Sequence, residues 1–114
     1  MINLKEHANL LKSCVDIENE KDENWKWDIK SLGKNIVHIG WGYLDYCGGH
    51  DGKKTFTITA ETCDALGDTL IARHPHGEMI DSIVVGGRYA DVQTIESGIK
   101  NIILAIATCA HSQY

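Results

Sequence analysis

Residues 25–30, 36–46 and 55–60 read WKWDIK, IVHIGWGYLDY and TFTITA, and these three stretches decide the fold. Apolar and polar residues alternate along them, which is the period of a strand with one buried face. The connection at residues 47–54 contains three glycines and the Asp51-Gly52 pair, which favours a tight hairpin. Three consecutive strands joined by short turns predict an antiparallel meander.

A helix and a fourth strand are predicted after the meander. Apolar residues recur every three or four positions from Cys63 to His74, and Pro75 follows, which favours a helix that ends there. Residues 80–85 are rich in β-branched side chains and predict a strand, which Gly86-Gly87 would end. A strand and a helix therefore extend the meander.

Helices are predicted at both ends of the chain. Residues 3–15 have the apolar spacing of an amphipathic helix, with Asn3 as its cap. A stripe from Val92 to Ile106 predicts a last helix capped by Asp91. Residues 102–109 are apolar on nearly every side, so this helix is either deeply buried or shared with a second copy in a homodimer, through Ile102, Leu104 and Ile106.

These elements define a single α+β domain spanning residues 1–114, as its length also indicates. The predicted order is α-β-β-β-α-β-α. The predicted architecture is a four-stranded, largely antiparallel sheet with helices packed on one face.

Composition excludes several classes of protein. The longest uninterrupted apolar run, Ile102 to Ala107, is far shorter than the ~20 residues that span a bilayer. The N-terminal residues contain no apolar segment of the kind found in signal peptides, and the four cysteines are widely spaced. We therefore expect no membrane association, reduced thiols and a cytoplasmic location.

The net charge of −5 argues against direct binding of nucleic acid, which requires clustered Lys and Arg. Acidic residues concentrate before Trp25, in a stretch that the sequence predicts to be a loop. Carboxylates beside an aromatic side chain favour an interface with a basic protein. The predicted partner-binding residues are Asp16, Glu18, Glu20, Asp22, Glu23 and Trp25. The alternative is a solvated loop that only aids solubility.

The segment that follows the predicted second helix contains a candidate divalent-metal site. If it is extended, His74, His76 and Glu78 point the same way. Two imidazoles and a carboxylate could hold zinc, nickel or iron. The alternative is a polar loop whose histidines are solvated or cap the preceding helix.

A candidate ligand-binding turn precedes the last predicted helix. Gly86 and Gly87 would let a small anionic ligand approach the backbone closely at a helix N-terminus, and Arg88 would clamp it. The alternative is a turn in which Asp91 already caps the helix and repels an anion.

The chain contains no complete catalytic motif, which favours a non-catalytic protein and leaves enzyme activity open. The order of elements and the acidity resemble those of type III secretion chaperones, and the size and charge resemble those of small immunity proteins and phage-encoded inhibitors of host defence. The leading hypothesis is a small acidic interaction module. It would act as an inhibitor of the immunity or anti-defence type and would occlude a basic, nuclease-like or nucleic-acid-binding partner.

Two alternatives remain. The first is a small-ligand or metal-binding protein, with or without metal-dependent catalysis, that uses the segments around His76 and Arg88. The second is a dimeric module of the secretion-chaperone kind.

Overall fold

A computed structural model describes residues 2–21, 23–44, 50–63 and 67–113. A 3-10 turn, Leu4–His7, leads into helix α1, and Asn3 Oδ1 accepts a hydrogen bond from the Lys5 amide at its start, which confirms Asn3 as a cap. The elements are α1 (Ala8–Lys21), β1 (Trp25–Leu32), β2 (Ile36–Leu44), β3 (His50–Cys63), β4 (Gly67–Arg73), β5 (Met79–Val84) and α2 (Ile95–Gln113).

The strands form one antiparallel sheet in which neighbours in the chain are neighbours in space. The α+β class and the meander predicted from the alternating stretches are confirmed. The sheet has five strands rather than the four that were predicted. The observed order is α-β-β-β-β-β-α.

The additional strand is β4, where a helix was predicted, and that prediction is wrong. Leu70 pairs with Ala60 and Ala72 pairs with Ile58, so both side chains lie on the buried face of the sheet. Spacings of four residues satisfy the period of a strand as well as that of a helix, and Pro75 ends either. Pairing with the long strand β3 decides between them.

Three other local predictions are corrected. Helix α1 continues through Lys21, so the first part of the acidic stretch is helical; Glu and Lys are good helix formers. Asp51 pairs with Tyr43 inside the β2–β3 ladder. Asp51-Gly52 therefore belongs to strand β3 rather than to a turn, and residues 45–49, between β2 and β3, lie outside the described residues.

Asp91 does not cap the last helix. Helix α2 begins at Ile95, and Thr94 Oγ1 accepts a hydrogen bond from the Ser97 amide at 3.2 Å, which is a capping contact. Asp91 instead accepts from the Val84 amide through Oδ2 at 2.9 Å, and its own amide donates to the Val84 carbonyl. It belongs to the end of β5 rather than to the start of the helix.

Both helices pack on the same face of the sheet and share one core. The largest fully buried side chains come from both layers: Trp41, Phe56, Ile39, Ile58 and Leu70 from the sheet, and Leu11, Ile99, Ile102 and Ile106 from the helices. Gly98 permits the closest approach, because a Cβ there would meet Val85 at 3.0 Å and Leu70 at 3.2 Å. No helix in the described part of the chain is long and apolar enough to cross a membrane.

Burial within the single chain explains why α2 is apolar on nearly every side. Ile102 and Ile106 are 0% and 1% exposed, because the helix contacts both the sheet and α1. Of the three residues predicted to form a dimer contact, Leu104 alone is exposed, at 51%.

Side chains occupy outward-facing backbone groups at both edges of the sheet. On β1, Asn19 Nδ2 donates to the Trp27 carbonyl at 2.9 Å and Asn19 Oδ1 accepts from the Trp27 amide at 2.6 Å. On β5, the Asp81 carboxylate accepts from the Ser82 amide at 2.9 Å, and Asp91 covers Val84 as described above.

Candidate functional site

The end of α1 and the turn after it present an acidic surface. Asp16 and Glu20 are four residues apart, so they share one side of the helix, and Glu23 follows in the turn. All three are exposed. Asp16 accepts a hydrogen bond from Lys12 Nζ at 3.0 Å, with both side chains largely in solvent. Such an exposed pair is weak and leaves the carboxylate accessible.

Glu18 does not belong to this surface, although the sequence grouped it there. Its side chain is 8% exposed, and Lys21 Nζ donates to Glu18 Oε1 at 2.8 Å. It lies in the groove between α1 and α2 together with Cys14. Asp22, the remaining acidic residue of the predicted set, lies outside the described residues.

Asn19 holds this end of α1 against the sheet. Its amide pairs with both backbone groups of Trp27, as a neighbouring strand would. Sequence reasoning missed this role. The local signal is weak: an amide residue, with modest helix propensity, sits in the last two turns of a helix.

Trp25, two residues after Glu23, belongs to an aromatic cluster. Its ring stacks on Trp41 with centroids 4.2 Å apart and planes 4° from parallel. Trp27 and Phe56 also contact Trp41, and His111 from α2 meets all three tryptophans edge-on. Trp41 is 2% exposed, whereas Trp25 is half-buried. Trp25 thus serves the core with one face and leaves part of its ring accessible.

The predicted metal residues lie in the β4–β5 hairpin. His76 Nε2 is 3.2 Å from Glu78 Oε2, and the rings of His74 and His76 stack with centroids 4.7 Å apart. His74 also contacts Cys109 of α2, with sulfur to ring nitrogen distances of 3.6 and 3.8 Å. Among the described residues, no three His, Cys, Asp or Glu side chains are grouped so as to hold a metal ion. The metal site stays a prediction.

The contact between Cys109 and His74 brings a thiol and an imidazole together, which no sequence motif indicated. Burial raises the pKa of the Cys109 thiol above its ordinary value of 9.0. The thiol is therefore neutral at pH 7, whereas a nucleophilic cysteine requires a lowered pKa. The pair has the character of a packing contact with a weak hydrogen bond.

The turn with Gly86, Gly87 and Arg88 does not lie at the N-terminus of a helix, because α2 begins only at Ile95. Both glycines have positive φ, and the Gly86 amide donates to the Val92 carbonyl at 2.8 Å. The Arg88 guanidinium lies 5.6 Å from the centre of the exposed Tyr89 ring. The predicted support of an anion by a helix terminus is absent at this turn, which is closed by its own backbone.

The fold and these surfaces define an α+β protein in which two helices cover one face of a five-stranded antiparallel meander. No family model, no curated protein and no solved structure matches the chain.

Proposed function

We propose that the protein is a non-catalytic interaction module that binds a basic protein and covers its functional surface. The contact would be made by the acidic surface, defined as Asp16, Glu20 and Glu23, together with the accessible part of Trp25. The observation that supports this best is that three exposed carboxylates lie on the end of α1 and in the turn that leads directly into Trp25, whose ring stacks on Trp41.

The two parts of this surface would contribute differently to binding. Exposed carboxylates attract a basic partner over several ångströms and raise the association rate, and salt screens this attraction. A partly exposed tryptophan contributes mainly to affinity, since aromatic side chains dominate interface hot spots. The stack with Trp41 fixes the Trp25 ring, and the hydrogen bonds between Asn19 and Trp27 fix the end of α1, before any partner binds. These groups therefore lose little conformational entropy on association.

Inhibition by occlusion fits a partner whose own function depends on a basic surface. A nuclease or another nucleic-acid-binding protein has such a surface, because it must neutralise phosphates. An acidic protein that covers it would compete directly with nucleic acid. This is how an immunity protein or an inhibitor of host defence would act.

A matched pair of charge variants tests the proposal. The triple variant Asp16→Asn/Glu20→Gln/Glu23→Gln removes the acidic surface, while the control Glu6→Gln/Glu61→Gln/Glu96→Gln removes the same charge at exposed positions elsewhere. Proteins captured by the wild type from a lysate of the source organism should be retained by the control and lost by the site variant. With the purified partner, stopped-flow association should slow as salt rises, for the wild type and the control but much less for the site variant.

Equal capture by the two triple variants would contradict the proposal, since they differ only in where the charge is lost. Association that does not depend on salt would contradict the role given to the carboxylates.

A divalent-metal site is the second candidate, and the separation of His76 Nε2 and Glu78 Oε2 favours it. At 3.2 Å, the two atoms are about as far apart as two ligands of one tetrahedral ion. Calorimetric titration with zinc should then show one site per chain that His76→Ala abolishes. Lys12→Ala, remote in the chain, serves as a control. Absence of binding heat with the wild type would contradict a zinc site at these residues.

A further inference from the structure

The outer side of the helical layer carries exposed apolar side chains. Leu104 of α2 is 51% exposed and Ile17 of α1 is 52% exposed, and both side chains line the groove between the two helices. The core and the acidic surface use none of these positions. An exposed apolar surface of this kind commonly marks a protein contact.

Leu104 forms a ridge between two shallow grooves. One groove runs between α1 and α2 and is lined by Ile17 and Lys100, among others. The other runs between α2 and β5 and is lined by Ile80, Asp81 and Ala105. Leu104 borders both grooves, so it stands at the centre of the surface.

The two grooves differ in charge and in shape. In the α1–α2 groove, Lys21 is paired with Glu18, so Lys100 gives that groove its net positive charge. In the α2–β5 groove, Asp81 is the charged side chain. Ile17 protrudes beside the first groove, and the second groove offers an apolar wall of Ile80 and Ala105 to receive it.

We propose that this surface binds a second copy of the same chain. A two-fold axis parallel to α2 and running along the ridge places Leu104 against Leu104 of the second copy. The same operation lays the α1–α2 groove of one copy over the α2–β5 groove of the other. Lys100 then faces Asp81 of the second copy, and Ile17 enters the groove lined by Ile80 and Ala105.

Self-complementarity is the argument for a second copy rather than an unrelated protein. A two-fold interface uses the same patch twice, so everything that protrudes or is charged on one side of the axis needs its complement on the other side. The ridge satisfies this requirement. Lys100 and Ile17 lie on one side of it, and Asp81 and the apolar wall of Ile80 and Ala105 lie on the other. This dimer differs from the one that the sequence indicated, since Ile102 and Ile106 are buried within each chain.

Sedimentation velocity over a wide range of protein concentration tests the dimer. The wild type should approach twice the 12.6 kDa mass of the chain as concentration rises. Leu104→Lys should remain monomeric, because it sets two charges against each other on the axis. Tyr89→Lys, which changes an apolar residue of similar or greater exposure on another surface, should dimerise as the wild type does. Circular dichroism checks that each variant is folded.

Charge reversal tests the orientation. Lys100→Glu and Asp81→Lys should each weaken dimerisation by about tenfold or more, as like charges then face each other across the interface. The double variant should recover most of the loss, because it restores opposite charges at each contact. The recovery is a coupling that two merely destabilising substitutions would not show.

Three outcomes would overturn the proposal. A wild type that stays monomeric at all concentrations would contradict self-association through the ridge. A dimer that survives Leu104→Lys would form elsewhere, and additive effects of the charge reversals would exclude this orientation. The acidic surface is unchanged in Leu104→Lys, so capture of a basic partner by this variant is tested separately.

Discussion

The two helices lie on the same face of the same sheet, yet they are embedded to different degrees. Helix α1 buries a single row of four residues, which includes Leu11 and Val15, and leaves most of its other positions exposed. Helix α2 buries eight residues, and Lys100 is the one charged residue between Ile99 and Ala110. The difference indicates that α2 contributes most to stability, and it leaves the end of α1 available for the binding that we propose.

The strongest test of this comparison is truncation of the α2 core. Ile106→Ala should lower the free energy of unfolding by about 3 kcal/mol, because it removes buried methyl groups and leaves a cavity. Leu104→Ala, two residues away and half exposed, should cost under about 1 kcal/mol. Urea denaturation followed by circular dichroism measures both. Similar losses for the two variants would show that α2 is not embedded as described.

A smaller effect is expected where α1 is attached to the sheet. Asn19→Ala should cost about 2 kcal/mol, because both backbone groups of Trp27 lose their partner. Asn9→Ala, at an exposed position of the same helix, should change stability little. Asn19→Asp keeps the acceptor for the Trp27 amide but sets a carboxylate oxygen against the Trp27 carbonyl, so it should also be less stable than the wild type. An Asn19→Ala variant as stable as the wild type would show that these hydrogen bonds do not hold α1 against the sheet.

Substitution of Trp25 should weaken partner binding more than it lowers stability. Trp25→Ala should cost about 2 kcal/mol, since the stack on Trp41 and the buried part of the ring are lost, while the exposed part contributes little. Trp27→Ala should cost about 3 kcal/mol or more, because that side chain is 4% exposed. Thermal unfolding and partner affinity are measured for both. A loss as large for Trp25 as for Trp27 would place Trp25 in the core and remove it from the proposed interface.

Cys14 on α1 and Cys109 on α2 offer the mildest test. Burial raises the pKa of both Cys14 and Cys109; near Cys14 a smaller opposing effect of Lys100 lowers it. In a Cys47→Ser/Cys63→Ser background, both thiols should react with Ellman's reagent more slowly in the folded than in the unfolded protein at pH 8. A rate equal to that of the unfolded chain would contradict the burial.

The same shifts make stability depend on pH in the alkaline range. The folded state binds the thiol protons more tightly than the unfolded state, so their contribution is fully present below 9.0, the ordinary pKa. It is lost as pH rises through the higher pKa of the folded state. Substituting Cys14 and Cys109 by Ala should remove this part of the alkaline loss.

The meander could be predicted from sequence because each of its strands shows its own alternation, as in the run from Trp25 to Lys30. Strand β4 could not, since seven residues are too few to separate a period of two from one of 3.6. The loop predicted for the acidic stretch is wrong for residues 16–21, which belong to α1, because Glu and Lys are good helix formers.

The sites depend on contacts between elements that are distant in the chain, and no local pattern carries these. Asn19 with Trp27, and His74 with Cys109, are examples. The exposure of Asp16, Glu20 and Glu23 follows from the helix that carries two of them. The burial of Glu18 follows from where α2 happens to lie.

The side chains that occupy the two edges of the sheet have a consequence for self-association. An open strand edge acts as a template on which further strands add, which is the first step of domain swapping and of fibril growth. Here Asn19 takes the position of a sixth strand on β1, and Asp81 and Asp91 bind outward-facing amides of β5. The charge on β5 also repels an approaching backbone carbonyl. Both edges of the sheet are therefore protected against the addition of further strands. This favours contacts between copies through side chains rather than through backbone pairing.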